Sequence, residues 1–173
     1  MTTTRNAAIE QLIDTEFDKL RRFFATKVPH ADVLDLAQNT ILAFVEGDLR
    51  SEAAARAYLW GIARLQVLKY YEKHRRSSEP FDSTVHTAMD VAPGLSSQID
   101  NRTRLLQALH TLPVEEQMAF EYRYGLEMKN DEVAGALHVS LATAKRYVER
   151  AEVKLRAALG VEPEAAGVAY QRL

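Results

Sequence analysis

The chain has 173 residues, with 22 Lys and Arg against 24 Asp and Glu, a formal net charge of −2 and 47% hydrophobic residues. That balance describes a folded chain of one ordinary or two small domains and excludes wholesale disorder. The absence of cysteine excludes disulfides and thiolate chemistry; with no apolar run near the roughly 20 residues of a membrane span, the expected compartment is the cytoplasm, without membrane insertion.

Seven glycines and five prolines are too few for the tight turns of a sandwich or barrel, and the chain reads as all-α. Ile9, Leu12, Ile13, Phe17, Leu20 and Phe24 recur at three- and four-residue steps and predict a first helix, ended by Pro29. Asp32 is placed to cap a second helix with an apolar face of Val33, Leu36, Ala37, Ile41, Phe44 and Val45, stopped at Gly47. A third helix runs from about Glu52 to His74. It is apolar nearly all round at its centre, so Tyr58 and Trp60 read as core. Residues 77–98, rich in Ser, Pro and Gly, read as a flexible linker with at most a short helical turn around Thr84–Met89.

Beyond the linker, Ile99 to Leu109 predicts a helix, and Pro113 opens another that continues through Tyr124 to Gly125. Asn130 is placed to cap a short helix from Asp131 to Leu137. After a turn at His138 and Val139, Ser140 caps a final helix that Gly160 stops. A short and a long helix across a tight turn predict a helix-turn-helix. Ala134 provides a small residue at the crossing, and Leu141, Ala144, Val148, Ala151 and Leu155 form the inward face. The domains expected are 1–76, helical, and 99–160, containing the helix-turn-helix, with 77–98 between them as linker and 161–173 a weakly ordered tail.

The net charge conceals a segregation. Residues 56–76 hold six basic side chains and one acidic, and residues 140–156 hold five and two, whereas residues 77–139 hold four and ten. One basic helix is commonly just a solvated face, but two on an acidic background direct attention to nucleic acid. In the last helix Ser140, Thr143, Lys145, Arg146 and Arg150 are spaced to reach base edges and phosphates.

The segment from Leu109 to Leu159 resembles the C-terminal domain of bacterial RNA polymerase sigma factors of the extracytoplasmic-function group. The resemblance rests on Leu112–Pro113, the Arg123–Tyr124 pair, the run Asp131–Glu132–Val133–Ala134, and Ser140 through Arg156. Upstream, DVLDLAQNTILAFV (Asp32 to Val45) is similar to the family's polymerase-binding helix. RAYLWGIARLQVLKYYEKHRR (Arg56 to Arg76) is similar to its promoter-melting helix. The three segments stand in the family's order.

That resemblance implies that Asp32, Asp35, Gln38 and Asn39 contact core RNA polymerase. Leu34 and Asn39 stand where acids are common, which implies weaker electrostatic steering. Thr40 is a candidate phosphorylation site on the same surface, where a phosphate would restore negative charge; the plainer reading is a polar helix position. The resemblance further implies that Arg64, Lys69, Lys73, Arg75 and Arg76 hold the backbone of the −10 element, with Tyr70 or Tyr71 stacking on a base. Leu65 replaces a frequent Asn, so no base-reading role passes to it. Ser140, Thr143, Lys145, Arg146 and Arg150 would engage the −35 element. His138 occupies a turn position where Gly is usual, and Ala144 is smaller than the usual branched residue. The implied partners are core RNA polymerase, promoter DNA and an anti-sigma factor or other regulatory protein, with no cofactor.

Enzymatic readings find no support in the pattern. His30, His74, His86, His110 and His138 are scattered without metal-site spacing, and no Gly-rich phosphate loop or nucleophile elbow occurs. The alternative is a one-component helix-turn-helix regulator whose N-terminal helices bind a small molecule or dimerise. Such a regulator binds duplex DNA alone, whereas a sigma factor needs the core enzyme. A third reading, an interaction module that regulates sigma factors, leaves the two basic helices without a purpose.

Overall fold

The computed structural model describes residues 2–49, 51–76 and 96–172. Every regular element among them is helical, and the chain divides into two compact units. The helical turn expected around Thr84–Met89, and most of the expected linker, lie outside the described residues.

The first unit is built from α1 (Thr2–Ala25), α2 (His30–Glu46) and α3 (Ala55–Arg76), with one 3-10 turn at Glu52–Ala54 before α3. In α1 the apolar stripe buries Leu20, Phe23 and Phe24, while Leu12, Ile13 and Phe17 are half-buried. The end of α1 is held by the Phe24 carbonyl, which accepts from the N–H groups of Lys27 and Val28. Pro29 takes the N-cap position of α2 with extended backbone, so Asp32 sits within the first turn instead of capping it. There its carboxylate still meets the positive end of the helix dipole. The buried stripe of α2 is Val33, Ala37, Thr40 and Phe44, and the expected core residue Val45 is 58% exposed. The stripe therefore runs one position earlier than the apolar residues alone suggest. α2 ends at Gly47, where the backbone turns extended (φ −76°, ψ 160°), and a Cβ at that position would overlap the Tyr58 hydroxyl. Trp60 is fully buried, edge-on to Phe23 at 5.3 Å between ring centroids.

One polar residue is built into this core. Glu16, 2% exposed, lies in the middle of the α1 stripe. Its Oε2 accepts from the Trp60 indole at 2.8 Å, and its Oε1 accepts from Lys19 at 2.8 Å and Arg56 at 3.2 Å. Burial alone would raise its pKa. The hydrogen bonds from Lys19 and Trp60 and the charges of Arg56 and Lys19 outweigh that and hold it below the ordinary carboxylate value. The carboxylate thus ties α1 to α3.

The second unit comprises α4 (Ser96–His110), α5 (Val114–Phe120), α6 (Asn130–Leu137), α7 (Leu141–Leu159) and α8 (Pro163–Gln171). Its core packs Leu105, Leu109, Leu112, Phe120, Ala151, Leu155, Ala166 and Tyr170. The helix expected to run from Pro113 through Tyr124 is α-helical only to Phe120. It then widens into a π-helical turn, Glu121–Gly125, closed by the Leu126 N–H on the Glu121 carbonyl.

The tail expected to be weakly ordered is instead helix α8. Pro163 occupies its first turn, and Pro163, Ala166, Gly167 and Tyr170 recur at helical spacing and are buried. Tyr170 packs where Gly125 lacks a side chain; a Cβ on Gly125 would collide with its ring. The Gln171 amide donates to the Tyr124 carbonyl at 3.0 Å, satisfying a backbone group of the π-helical turn.

Candidate polymerase and nucleic-acid interfaces

Two surfaces in the first unit carry the residues read from the sequence. On α2, Asp35, Gln38 and Asn39 are exposed on one face. The same face exposes Leu34, Leu42 and Val45, at 49%, 55% and 58%. A helix face that combines three large apolar side chains with short polar ones has the makeup of a docking surface. Asp32 is turned differently. It is half-buried, and its Oδ2 accepts from the Tyr70 hydroxyl of α3 at 2.8 Å.

Thr40 does not share that surface. It is fully buried, and its hydroxyl donates to the Leu36 carbonyl at 2.7 Å. Position 40 follows Val33 and Ala37 at the core phase, so a kinase has no access to the hydroxyl in the folded unit. The expected phosphorylation is corrected on that ground.

On α3 the exposed cations are Lys69, Lys73 and Arg75, while Arg64 is half-buried. The Arg76 side chain lies outside the described residues. Tyr70 is 9% exposed and stacks on the His74 ring at 3.9 Å. Burial, then the hydrogen bond and charge of Asp32, push its phenol well above the ordinary tyrosine value, so it stays a neutral donor. A ring so enclosed is not free to stack on a base, which corrects the base-stacking reading of Tyr70; the neighbouring Tyr71 is half-buried.

In the second unit α6 and α7 form the helix-turn-helix. The Glu132 carboxylate accepts from the Lys129 N–H at 2.9 Å at the start of α6, so the cap lies one residue before Asn130. His138 takes the left-handed conformation (φ 54°, ψ 42°) that ends α6, and the Val139 N–H reaches back to the Ala134 carbonyl. Ser140 caps α7, its Oγ accepting from the Thr143 N–H at 3.2 Å. Ala144, Val148, Ala151 and Leu155 are buried, but Leu141, expected with them, is 46% exposed in the first turn.

The DNA-facing candidates therefore converge at the start of α7. Arg146 donates to the Thr143 hydroxyl at 3.1 Å, which itself lies 2.9 Å from the Ser140 hydroxyl. Lys145, Arg146 and Arg150 are exposed. Two carboxylates missed from the sequence tie this helix to its neighbours, Glu116 from α5 and Glu152 from α7 itself. Glu116 of α5 is 5% exposed and accepts from Lys154 at 2.6 Å. Glu152 accepts from the Tyr124 hydroxyl at 2.6 Å; burial followed by that bond raises the Tyr124 phenol well above its ordinary value. The sequence signal for Glu16 was an acid inside an apolar stripe. For Glu116 no local signal exists, because its partners lie 34 and 38 residues away. Among the described residues no group of His, Asp and Glu side chains is arranged to hold a metal ion, and no helix is long and apolar enough to cross a membrane.

Comparison with known proteins agrees with this geometry. Residues 102–155 match the family described as sigma-70, region 4. The chain is 26% identical over 159 residues to the RNA polymerase sigma factor HrpL of Pseudomonas syringae pv. syringae, covering 87% of this chain and 86% of HrpL. The fold is similar to that of the sigma factor RpoE from Bartonella quintana, solved in complex with the anti-sigma factor NepR. That likeness has a TM-score of 0.68 at 20% identity and covers 88% of this chain and 96% of the other. A match to sigma-70 region 4 over the helix-turn-helix, a sigma-factor relative aligned over most of both lengths, and a shared all-helical fold make the chain similar to bacterial RNA polymerase sigma factors.

Proposed function

We propose that the chain works in transcription initiation by a division of labour between its two units. The unit of α1–α3 docks core RNA polymerase through the α2 face of Asp35, Gln38 and Asn39 with Leu34, Leu42 and Val45 around them. The basic end of α3, with Lys69, Lys73 and Arg75, holds the phosphate backbone of the −10 element while it opens. The unit of α4–α8 presents the start of α7 to the −35 element, with Thr143, Lys145, Arg146 and Arg150 meeting bases and phosphates and Ser140 fixing the helix end. The protein acts by binding, in the cytoplasm, and needs no cofactor. An anti-sigma factor is a further partner, since RpoE of Bartonella quintana was solved bound to one.

The observation that carries this reading is the exposure of Lys145, Arg146 and Arg150 on a helix whose N-terminus is capped by Ser140 within a sigma-70 region 4 match. The apolar content of the α2 face supports docking that depends less on charge, in keeping with Leu34 and Asn39 at positions where acids are common in the family.

The test is run-off transcription with purified core polymerase on the region upstream of the protein's own gene. A discrete transcript that requires the chain supports the proposal. Failure of the purified chain to bind core polymerase overturns it. So does strong sequence-specific binding to duplex DNA without polymerase, the behaviour of a one-component regulator.

A further inference from the structure

Arg146, Arg150 and Lys154 follow one another at four-residue steps and form a single stripe along α7. The stripe is not uniformly available. At its C-terminal end the Glu116 carboxylate accepts from Lys154 Nζ at 2.6 Å through Oε2, and its Oε1 stands 4.0 Å from Arg150 Nη1. The cations keep 48% and 62% of their side chains exposed, whereas the Glu116 side chain is 7% exposed. The carboxylate is thus the desolvated member, and the two cations are its charge partners. A phosphate that draws Lys154 away leaves a buried acid uncompensated.

We propose that Glu116 is a specificity-determining residue that holds two cations of the recognition helix against indiscriminate phosphate contact. This rests on the reading of α7 as the DNA-facing helix. Free duplex DNA then meets a stripe on which Arg146, exposed and bonded to the Thr143 hydroxyl, carries its charge outward, while Arg150 and Lys154 are shared with the acid. The isolated chain binds random DNA weakly, and productive contact needs a partner that delivers the DNA in register.

The test measures binding of the full chain to a random-sequence duplex by fluorescence anisotropy, across salt, for the natural protein and Glu116→Gln. Each cation freed to displace a counterion steepens the slope of log K against log salt by about 0.9. As salt falls from about 200 to about 50 mM, one freed cation widens the variant's advantage by roughly 3.5-fold and two by roughly 12-fold. Adding Lys154→Met to Glu116→Gln should remove about half of the increase in slope. An unchanged or shallower slope in Glu116→Gln overturns the inference. If that variant loses helicity, Lys154→Met in the natural chain decides. A slope shallower by a full unit marks Lys154 as an already free phosphate contact and overturns the inference, and a slope within about 0.3 supports it. Run-off transcription separates the two levels: a natural chain active with core polymerase and an unchanged Glu116→Gln slope sinks only this inference, whereas an inactive natural chain sinks the underlying reading.

Discussion

Replacing Glu16 with Ala removes the acceptor that ties α1 to α3. The Trp60 indole N–H, fully buried, then loses its 2.8 Å partner, and an unsatisfied buried donor costs about 1–3 kcal/mol. Arg56 and Lys19 keep 23% and 30% of their side chains exposed; water replaces much of what they lose, so each adds only about 0.5–1 kcal/mol. The expected loss is about 3 kcal/mol, which in a unit of this size lowers the melting temperature by roughly 10–20 °C. Glu16→Gln keeps an amide oxygen for Trp60 and should cost about 1 kcal/mol. Trp60 is the only tryptophan of the chain, so thermal unfolding followed by its fluorescence reports this unit directly. The acid arm has a definite sign. Because the folded pKa lies below the ordinary value of 4.5, the stabilisation is fully present above that value and is lost as pH falls through the folded pKa. The gap between the natural protein and Glu16→Gln should therefore narrow on acidification. A Trp60 transition that moves less than about 3 °C in Glu16→Ala refutes the reasoning, as does a gap that widens in acid.

Asp35→Ala, at an exposed position on the α2 face, should weaken core-polymerase binding by about three- to tenfold and leave stability within about 0.5 kcal/mol; competition binding and the Trp60 melt check both halves. Arg146→Ala should cost about 1–3 kcal/mol in promoter recognition with core binding intact, read by transcription from matched and altered −35 sequences. Tyr170→Ala should destabilise the second unit by about 3–5 kcal/mol, because a buried ring packed into the space left by Gly125 is lost. Circular dichroism on heating measures this, and a loss below about 1 kcal/mol means that α8 contributes little to the unit.

Much of the second unit was legible along the chain. Ser140 announces the start of α7 and the cap is there; His138, placed where a left-handed residue is needed, takes φ 54°. The failures share a cause. Thr40 and Tyr70 are polar or amphipathic residues whose side of the helix depends on phase, and adjacent positions point about 100° apart. An apolar count assigns Val45 to the core, but Thr40 fits there because its hydroxyl satisfies itself on the Leu36 carbonyl one turn back. In α8 the apolar signal is thin, one tyrosine among small residues, and its stability comes from a site on another element.

What the sequence by itself determined is what local interactions settle: where helices begin and end, that they are all helices, and which stretches are basic within an acidic chain. Caps, turn conformations and i to i+4 hydrogen bonds span at most a turn or two, so nearby residues suffice to specify them. Only the tertiary structure decided which groups are available to a partner. Asp32 is engaged by a tyrosine 38 residues away, Glu16 by an arginine and a tryptophan 40 and 44 residues away, and Lys154 by a glutamate 38 residues away. A side chain's charge is written in the sequence, but whether that charge is free for DNA or polymerase depends on the opposite charge the fold brings beside it.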